Sequence, residues 1–214
     1  MTKATSVLSL RLGGAVLASA AFGLIAVAIL PNGSLLAAIG LGFLFGTSFI
    51  GGTGYRIVLA SLSGERQAAP ASWSGATTGA ALFALVLWAI ALLFGRDGLP
   101  VLMGFGVGIN IAYLLAKTAC VSAHCCHAAP EHRLPVDLRT IEIAGTIVTL
   151  VAAVALAMVS LRLGAIIGIG GHLAIRLLSR RTRNRWSWGW PPLRQPGAEL
   201  APLIAVLVAA MLSV

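Results

Sequence analysis

The sequence predicts an all-α, polytopic integral membrane protein, a bundle of about seven transmembrane helices forming a single domain over residues 1–214. Three observations predict it. Apolar residues make up 58% of the chain and charged residues only 10%, whereas soluble domains carry roughly 45–50% and about 25%. The apolar residues fall into runs close to the ~20 residues that a helix needs to cross hydrocarbon. No strand-like alternation breaks these runs, and a helix is the element that satisfies its own backbone inside lipid.

In chain order the runs cover 8–30, 34–60, 74–94, 99–119, 140–160, 163–179 and 198–214. The first is long and lacks an A-x-A-like site followed by a soluble domain, so it is expected to stay as a span and not to be removed as a signal peptide. Gly42 and Gly46 in the second run, and Gly164 and Gly168 in the sixth, have small-xxx-small spacing, and Gly104, Gly106 and Gly108 alternate in the fourth. Small residues let helix backbones approach closely, so these positions are read as bundle packing. The longer connections are 61–73, 120–139 and 180–197, none long enough for a separate soluble domain. WSWGWPP, Trp186 to Pro192, follows a run of arginines. Its tryptophans suit the headgroup region and mark an interfacial anchor.

The net charge of +9 lies beside apolar spans. That placement points to anionic lipid headgroups as partners and argues against nucleic acid. There are three cysteines, an odd number, and Cys125 and Cys126 are adjacent, which argues against a disulfide framework.

Two polar groups stand out. Asn110, Tyr113, Lys117, Cys120 and His124 are spaced 3, 4, 3 and 4, so they form one stripe of the fourth span. A lysine near a helix end can snorkel to the interface. Asn, Tyr and Lys on one face inside a span more often line a cavity or a bundle interior. The second group is Arg176, Arg180, Arg181, Arg183, Arg185 and Arg194, of which Arg176, Arg180 and Arg183 share a helix face. Guanidinium groups bind phosphate bidentately; arginines beside a span also mark its cytoplasmic end.

Residues 117–133, KTACVSAHCCHAAPEHR, hold every cysteine and most of the histidines. Cys120, His124, Cys125, Cys126 and His127 are therefore candidate metal ligands. The stretch has no C-x-x-C or H-E-x-x-H spacing, and the only further histidine is the distant His172. Metal is accordingly the least favoured reading, no cofactor is expected, and phospholipid is the expected ligand.

The same stretch resembles prolipoprotein diacylglyceryl transferase, the inner-membrane enzyme family of bacterial lipoprotein maturation. Many members carry G-R-x-G-C-F-x-x-G-C-C-x-G. Ala116 to Ala128 reads AKTACVSAHCCHA. It aligns without a gap, with Cys120, Cys125 and Cys126 at the cysteine positions, Lys117 at the arginine, and His124 and Ala128 at glycines. Of the family's H-P-x-Q-L-Y-E, VDLRTIE (Val136 to Glu142) keeps Glu142. Of R-F-x-x-E-F-x-R, RLLSRRTR (Arg176 to Arg183) keeps Arg176 and Arg183, with Arg180 in place of the acid. Of S-F-H-G-G, SWSGA (Ser72 to Ala76) has Ser74 in place of the histidine. The order and spacing cover most of the chain, without the large soluble insertions of typical members.

The resemblance implies a diacylglyceryl-transferase-like bundle in the bacterial inner membrane, with a lipid cavity between the fourth and sixth spans. In the family a diacylglyceryl group passes from phosphatidylglycerol to a lipobox cysteine. Transposed here, Lys117, Arg176 and Arg183 bind phosphate, Glu142 orients one of them, and Ser74, Asn110, Tyr113 and Cys120 line the cavity. Catalysis would fall to Glu142 and to His124 as a substitute base, because Ser74 cannot act as one. The missing histidine favours a lipid-holding, non-catalytic subunit of a larger membrane complex over a divergent transferase; a metal-binding membrane protein comes third. Charge bias puts the N-terminus inside and the C-terminus outside, because only Arg96 and Arg162 lie in the opposite loops. The resemblance implies the reverse orientation, which is the one preferred.

Overall fold

The computed structural model describes residues 73–122, 128, 134–183 and 200–213. The first two predicted spans, the Gly42/Gly46 pair and the Trp186–Pro192 anchor lie outside the described residues. Every regular element among the described residues is a helix: α1 (Trp73–Leu93), α2 (Leu99–Ser122), α3 (Leu138–Ala157), α4 (Leu161–Arg183) and α5 (Leu200–Leu212). They correspond in order to the last five predicted spans. Three apolar stretches, Leu99–Thr118, Leu138–Ala157 and Leu161–Thr182, are long and apolar enough to cross a membrane. The apolar stretches Thr77–Leu93 and Leu200–Leu212 are shorter.

Polar side chains and a glycine set the helix ends. Asp97 Oδ1 accepts from the Leu99 amide at 2.8 Å, and Pro100 sits in the first turn of α2, where its missing N–H costs nothing. Asp137 caps α3, its side chain accepting from the Arg139 amide at 2.9 Å while also pairing with the Arg139 guanidinium. This cap starts α3 two residues earlier than the apolar run alone indicates. Gly95, at φ +63°, ends α1. Its amide bonds to Leu92 and that of Arg96 to Ala91, the paired bonds of a Schellman motif. At the other end, α2 and α4 run on past their predicted limits, to Ser122 and Arg183. Polar residues close to a membrane surface do not stop a helix that has no Gly or Pro to break it.

The helices alternate in direction. Gly106 of α2 meets Ala165 and Ile169 of α4, and Tyr113 meets His172, so α2 and α4 run parallel. Gly164 meets Ala157 and Ala153, Gly171 meets Thr149, and Ile175 meets Gly145, so α3 runs antiparallel to α4. α2, α3 and α4 pack as a triangle, while α1 and α5 pack together against the other side of α2 and α4. The apolar core fills that second side, with Ala80, Ala81 and Ala84 of α1, Leu102 and Phe105 of α2, Ile169 of α4, and Leu203 and Val206 of α5. At the Leu93 end, Trp88 Nε1 donates to Ser213 Oγ at 3.1 Å, and Arg162 donates to the Met211 carbonyl. Outward faces are apolar, for example Ile147, Val148 and Val151 on α3 and Leu82, Val86 and Ile90 on α1. Such faces suit lipid rather than water.

Candidate functional site

The α2–α3–α4 triangle encloses a charged group. Predicted stripe residues Asn110, Tyr113, Lys117 and Cys120 are all buried. They face α3 and α4 because a 3-4-3 spacing keeps one side of α2 turned the same way for three turns.

Tyr113 is the hub. Its hydroxyl donates to Glu142 Oε1 at 2.8 Å, while Lys117 Nζ lies 3.0 Å from Glu142 Oε2. Both carboxylate oxygens are therefore engaged, one by a neutral donor and one by an ammonium. Lys117 Nζ stands 4.9 Å from the centroid of the Tyr113 ring and Arg176 Cζ stands 5.7 Å from it. Both are inside the ~6 Å reach at which a ring quadrupole attracts a cation. The His172 ring meets the same tyrosine edge-on, with centroids 5.1 Å apart.

The surroundings hold this group in place. Thr146 Oγ1 donates to the Glu142 carbonyl at 2.6 Å, one turn along α3. Asn110 Nδ2 donates to the carbonyls of Gly106 at 2.7 Å and Gly168 at 2.8 Å, bridging α2 to α4. Gly168 lets the two backbones come this close: a Cβ there would lie 3.1 Å from the Gly106 carbonyl carbon, tighter than an ordinary contact. Asn110 Oδ1 is buried and has no hydrogen-bond partner among the described residues.

Sequence-predicted residues thus divide into two sets. Asn110, Tyr113, Lys117, Glu142 and Arg176 come together from three helices, and Cys120 follows on the same face one turn beyond Lys117. Ser74 and Arg183 lie on described helices, but their side chains, like all of His124, Cys125, Cys126 and His127, lie outside the described residues. Among the described residues no group of three metal-ligating side chains occurs. Of the arginine face, Arg176 is buried and Arg180 is half-buried. Sequence reasoning missed His172 as part of the group. The signal was available, since it precedes Arg176 by one helical turn and so shares its face.

Chemically, two cations and one carboxylate share a low-dielectric interior with a phenol and an imidazole. Charges in a bundle interior interact with little screening, so the described cations and carboxylate are strongly coupled to one another. No protein-family model, curated protein or solved structure matches the chain.

Proposed function

We propose that this chain is a multi-pass inner-membrane protein of bacteria, of diacylglyceryl-transferase-like design, that holds the phosphate of an anionic phospholipid such as phosphatidylglycerol at Lys117 and Arg176. The observation that carries this reading is the convergence of both cations on the Tyr113 ring. Gathering cations inside a membrane bundle is costly, and they mark functional sites by default. The whole chain has 15 Lys and Arg against 6 Asp and Glu, so its own acids cannot neutralise its bases. A phosphate diester would bring a negative charge to the two cations. Arg176 offers a planar fork to two phosphate oxygens, and Lys117 offers a point charge. The five described helices follow the order of the last five of seven expected spans, which is the order a seven-span bundle requires; the transferase-like design rests on the sequence resemblance alone.

Within this reading the chain serves as a lipid-holding, non-catalytic subunit of a larger membrane complex. The paired state of Glu142 supports that role: a carboxylate already accepting from Tyr113 and Lys117 is a poor acceptor for a substrate proton. His172, beside the hub, keeps a transferase reading alive as its candidate base.

Native mass spectrometry of the protein, purified from its own membranes in mild detergent, tests the proposal. The wild type is expected to retain phosphatidylglycerol in preference to phosphatidylcholine. Lys117→Met/Arg176→Met should lose that preference, and Arg176→Lys should keep part of it. Equal lipid retention by wild type and double variant, both folded by circular dichroism, would refute phosphate binding here. Co-purified membrane subunits in fixed ratio identify the subunit role; transfer to a lipobox peptide identifies the enzyme.

A further inference from the structure

The charged group occupies only one half of the bundle. The ends of α2 (Ser122), α3 (Leu138) and α4 (Arg183) lie together at one face, here the basic end, which also carries Arg139, Arg180 and Arg181. The opposite ends, Leu99, Ala157 and Leu161, lie at the other face. From Ser122 inward, α2 presents Cys120, Lys117, Tyr113 and Asn110 at successive turns, all buried. Over the same stretch α4 buries Thr182, Ser179, Arg176 and His172, and α3 buries Glu142 and Thr146. Asn110 lies twelve residues from Ser122, about 18 Å at 1.5 Å per residue, which is close to the middle of the span.

Beyond Asn110 the polar side chains stop. The three facing surfaces become Gly106 and Met103 of α2, Ala153 and Ala157 of α3, and Gly164 and Ala165 of α4. Helix backbones there touch directly. A Cβ on Gly164 would stand 2.8 Å from both the Ala153 carbonyl oxygen and Met103 Sδ, and one on Gly168 would stand 3.1 Å from the Gly106 backbone. A seam this tight leaves no room for water, whereas a polar interior gives water and ions partners to follow.

We infer that the Tyr113 group is the blind end of a one-sided polar inlet: its ligand enters at the basic end of the bundle, and the Asn110–Gly168 bridge is the floor that closes the way to the opposite face. The ligand class, a phosphate-bearing headgroup from the leaflet adjoining the basic end, rests on the phosphate reading above; the one-sidedness does not. Arginines at the rim concentrate anionic headgroups there.

Thiol accessibility in sealed vesicles tests the inlet. Cys125→Ser/Cys126→Ser leaves Cys120 as the single thiol of the full chain. In a background that also carries Cys120→Ser, Val136→Cys marks the basic end and Phe94→Cys the opposite end; the two native residues are 48% and 78% exposed. Met103→Cys, in the same background, reports on the seam. A membrane-impermeant, negatively charged thiol reagent, of the sign that the basic inlet admits, is applied from each side in turn. Cys120 is expected to react from the face that labels Val136→Cys and to lose all labelling from the Phe94→Cys face, with Met103→Cys inert from both. Labelling of Cys120 from the Phe94→Cys face, from both faces alike or from neither overturns the inlet, as does reaction of Met103→Cys at the Cys120 rate. Two protection arms then use inorganic phosphate in the buffer and phosphatidylglycerol in the vesicle. Slowing of Cys120 by the lipid alone assigns a headgroup, and slowing by both assigns phosphate of either source. One-sided labelling with no protection by either keeps the inlet and rejects the phosphate reading.

Discussion

The two halves of the α2–α3–α4 triangle use the same three helices in opposite ways. Toward the basic end, large polar side chains hold the helices together through a hydroxyl, a carboxylate and two cations around Tyr113. Toward the other end the helices meet through Gly106, Gly164, Gly168 and alanines, with backbone against backbone. In lipid there is no hydrophobic drive between helices, so association rests on close packing and on polar bonds. This bundle separates the two by depth. The packed half should be insensitive to charge and intolerant of added volume. The polar half should show the converse.

The largest expected effect breaks the polar half. Glu142→Ala leaves Lys117 buried without its carboxylate and should cost about 3–5 kcal/mol, the usual penalty for removing one member of a buried pair. It should be read as a fall in the unfolding midpoint in detergent. Lys117→Met/Glu142→Leu removes both charges at similar volume and should recover most of that loss. A double variant as unstable as Glu142→Ala would mean that shape, not charge, holds this half. Tyr113→Phe keeps the ring beneath both cations and deletes only the bond to Glu142. A loss of about 1.5–3 kcal/mol is expected for a hydrogen bond to a charged group, again by thermal or denaturant unfolding.

The packed half is broken by a single methyl. Gly168→Ala pushes a Cβ against the Gly106 backbone, which cannot rotate away, and should cost about 1–3 kcal/mol. Gly170→Ala, two residues on, meets only Leu207 Cδ1 at an ordinary 3.8 Å. It should be neutral or gain up to about 1 kcal/mol from helix propensity. If both glycine variants behave alike, the seam is not the tight contact described here. The smallest effect is Trp88→Phe, which removes the bond to Ser213 outside the triangle; about 0.6 kcal/mol is expected, the average for an interhelical side-chain bond in a membrane bundle.

The contrast also explains what the sequence disclosed. Five helices were legible from apolar runs, and the polar stripe of α2 was legible from its spacing, because both depend on a single helix. Gly164 and Gly168 were legible as packing positions. That Gly168 faces Gly106 and not another glycine was not, since spacing tells which residues share a face and never which faces meet. For the same reason Glu142 entered the site only through the family resemblance, and His172 was passed over as an isolated histidine. The start of α3 is displaced by Asp137, a cap that hydropathy does not register. Spacing places Asn110 on the polar stripe; that its amide also ties α2 to α4, by donating to the carbonyls of Gly106 and Gly168, is visible only once the two helices are seen to meet.

The Lys117–Glu142 pair has a consequence for how the chain is made. Helices leave the ribosome in order, so α2 and α3 reach the bilayer before α4 exists. A lone lysine or a lone glutamate in a nascent helix resists partitioning into lipid. Paired across one hairpin, Lys117 and Glu142 neutralise each other as soon as α3 emerges, and the hairpin can insert as a unit. α4 arrives last of the three, carrying Arg176 and His172, and finds the Tyr113 ring and the carboxylate already set. The charge network is thus also an assembly order, in which the most polar helix is delivered to partners prepared for it.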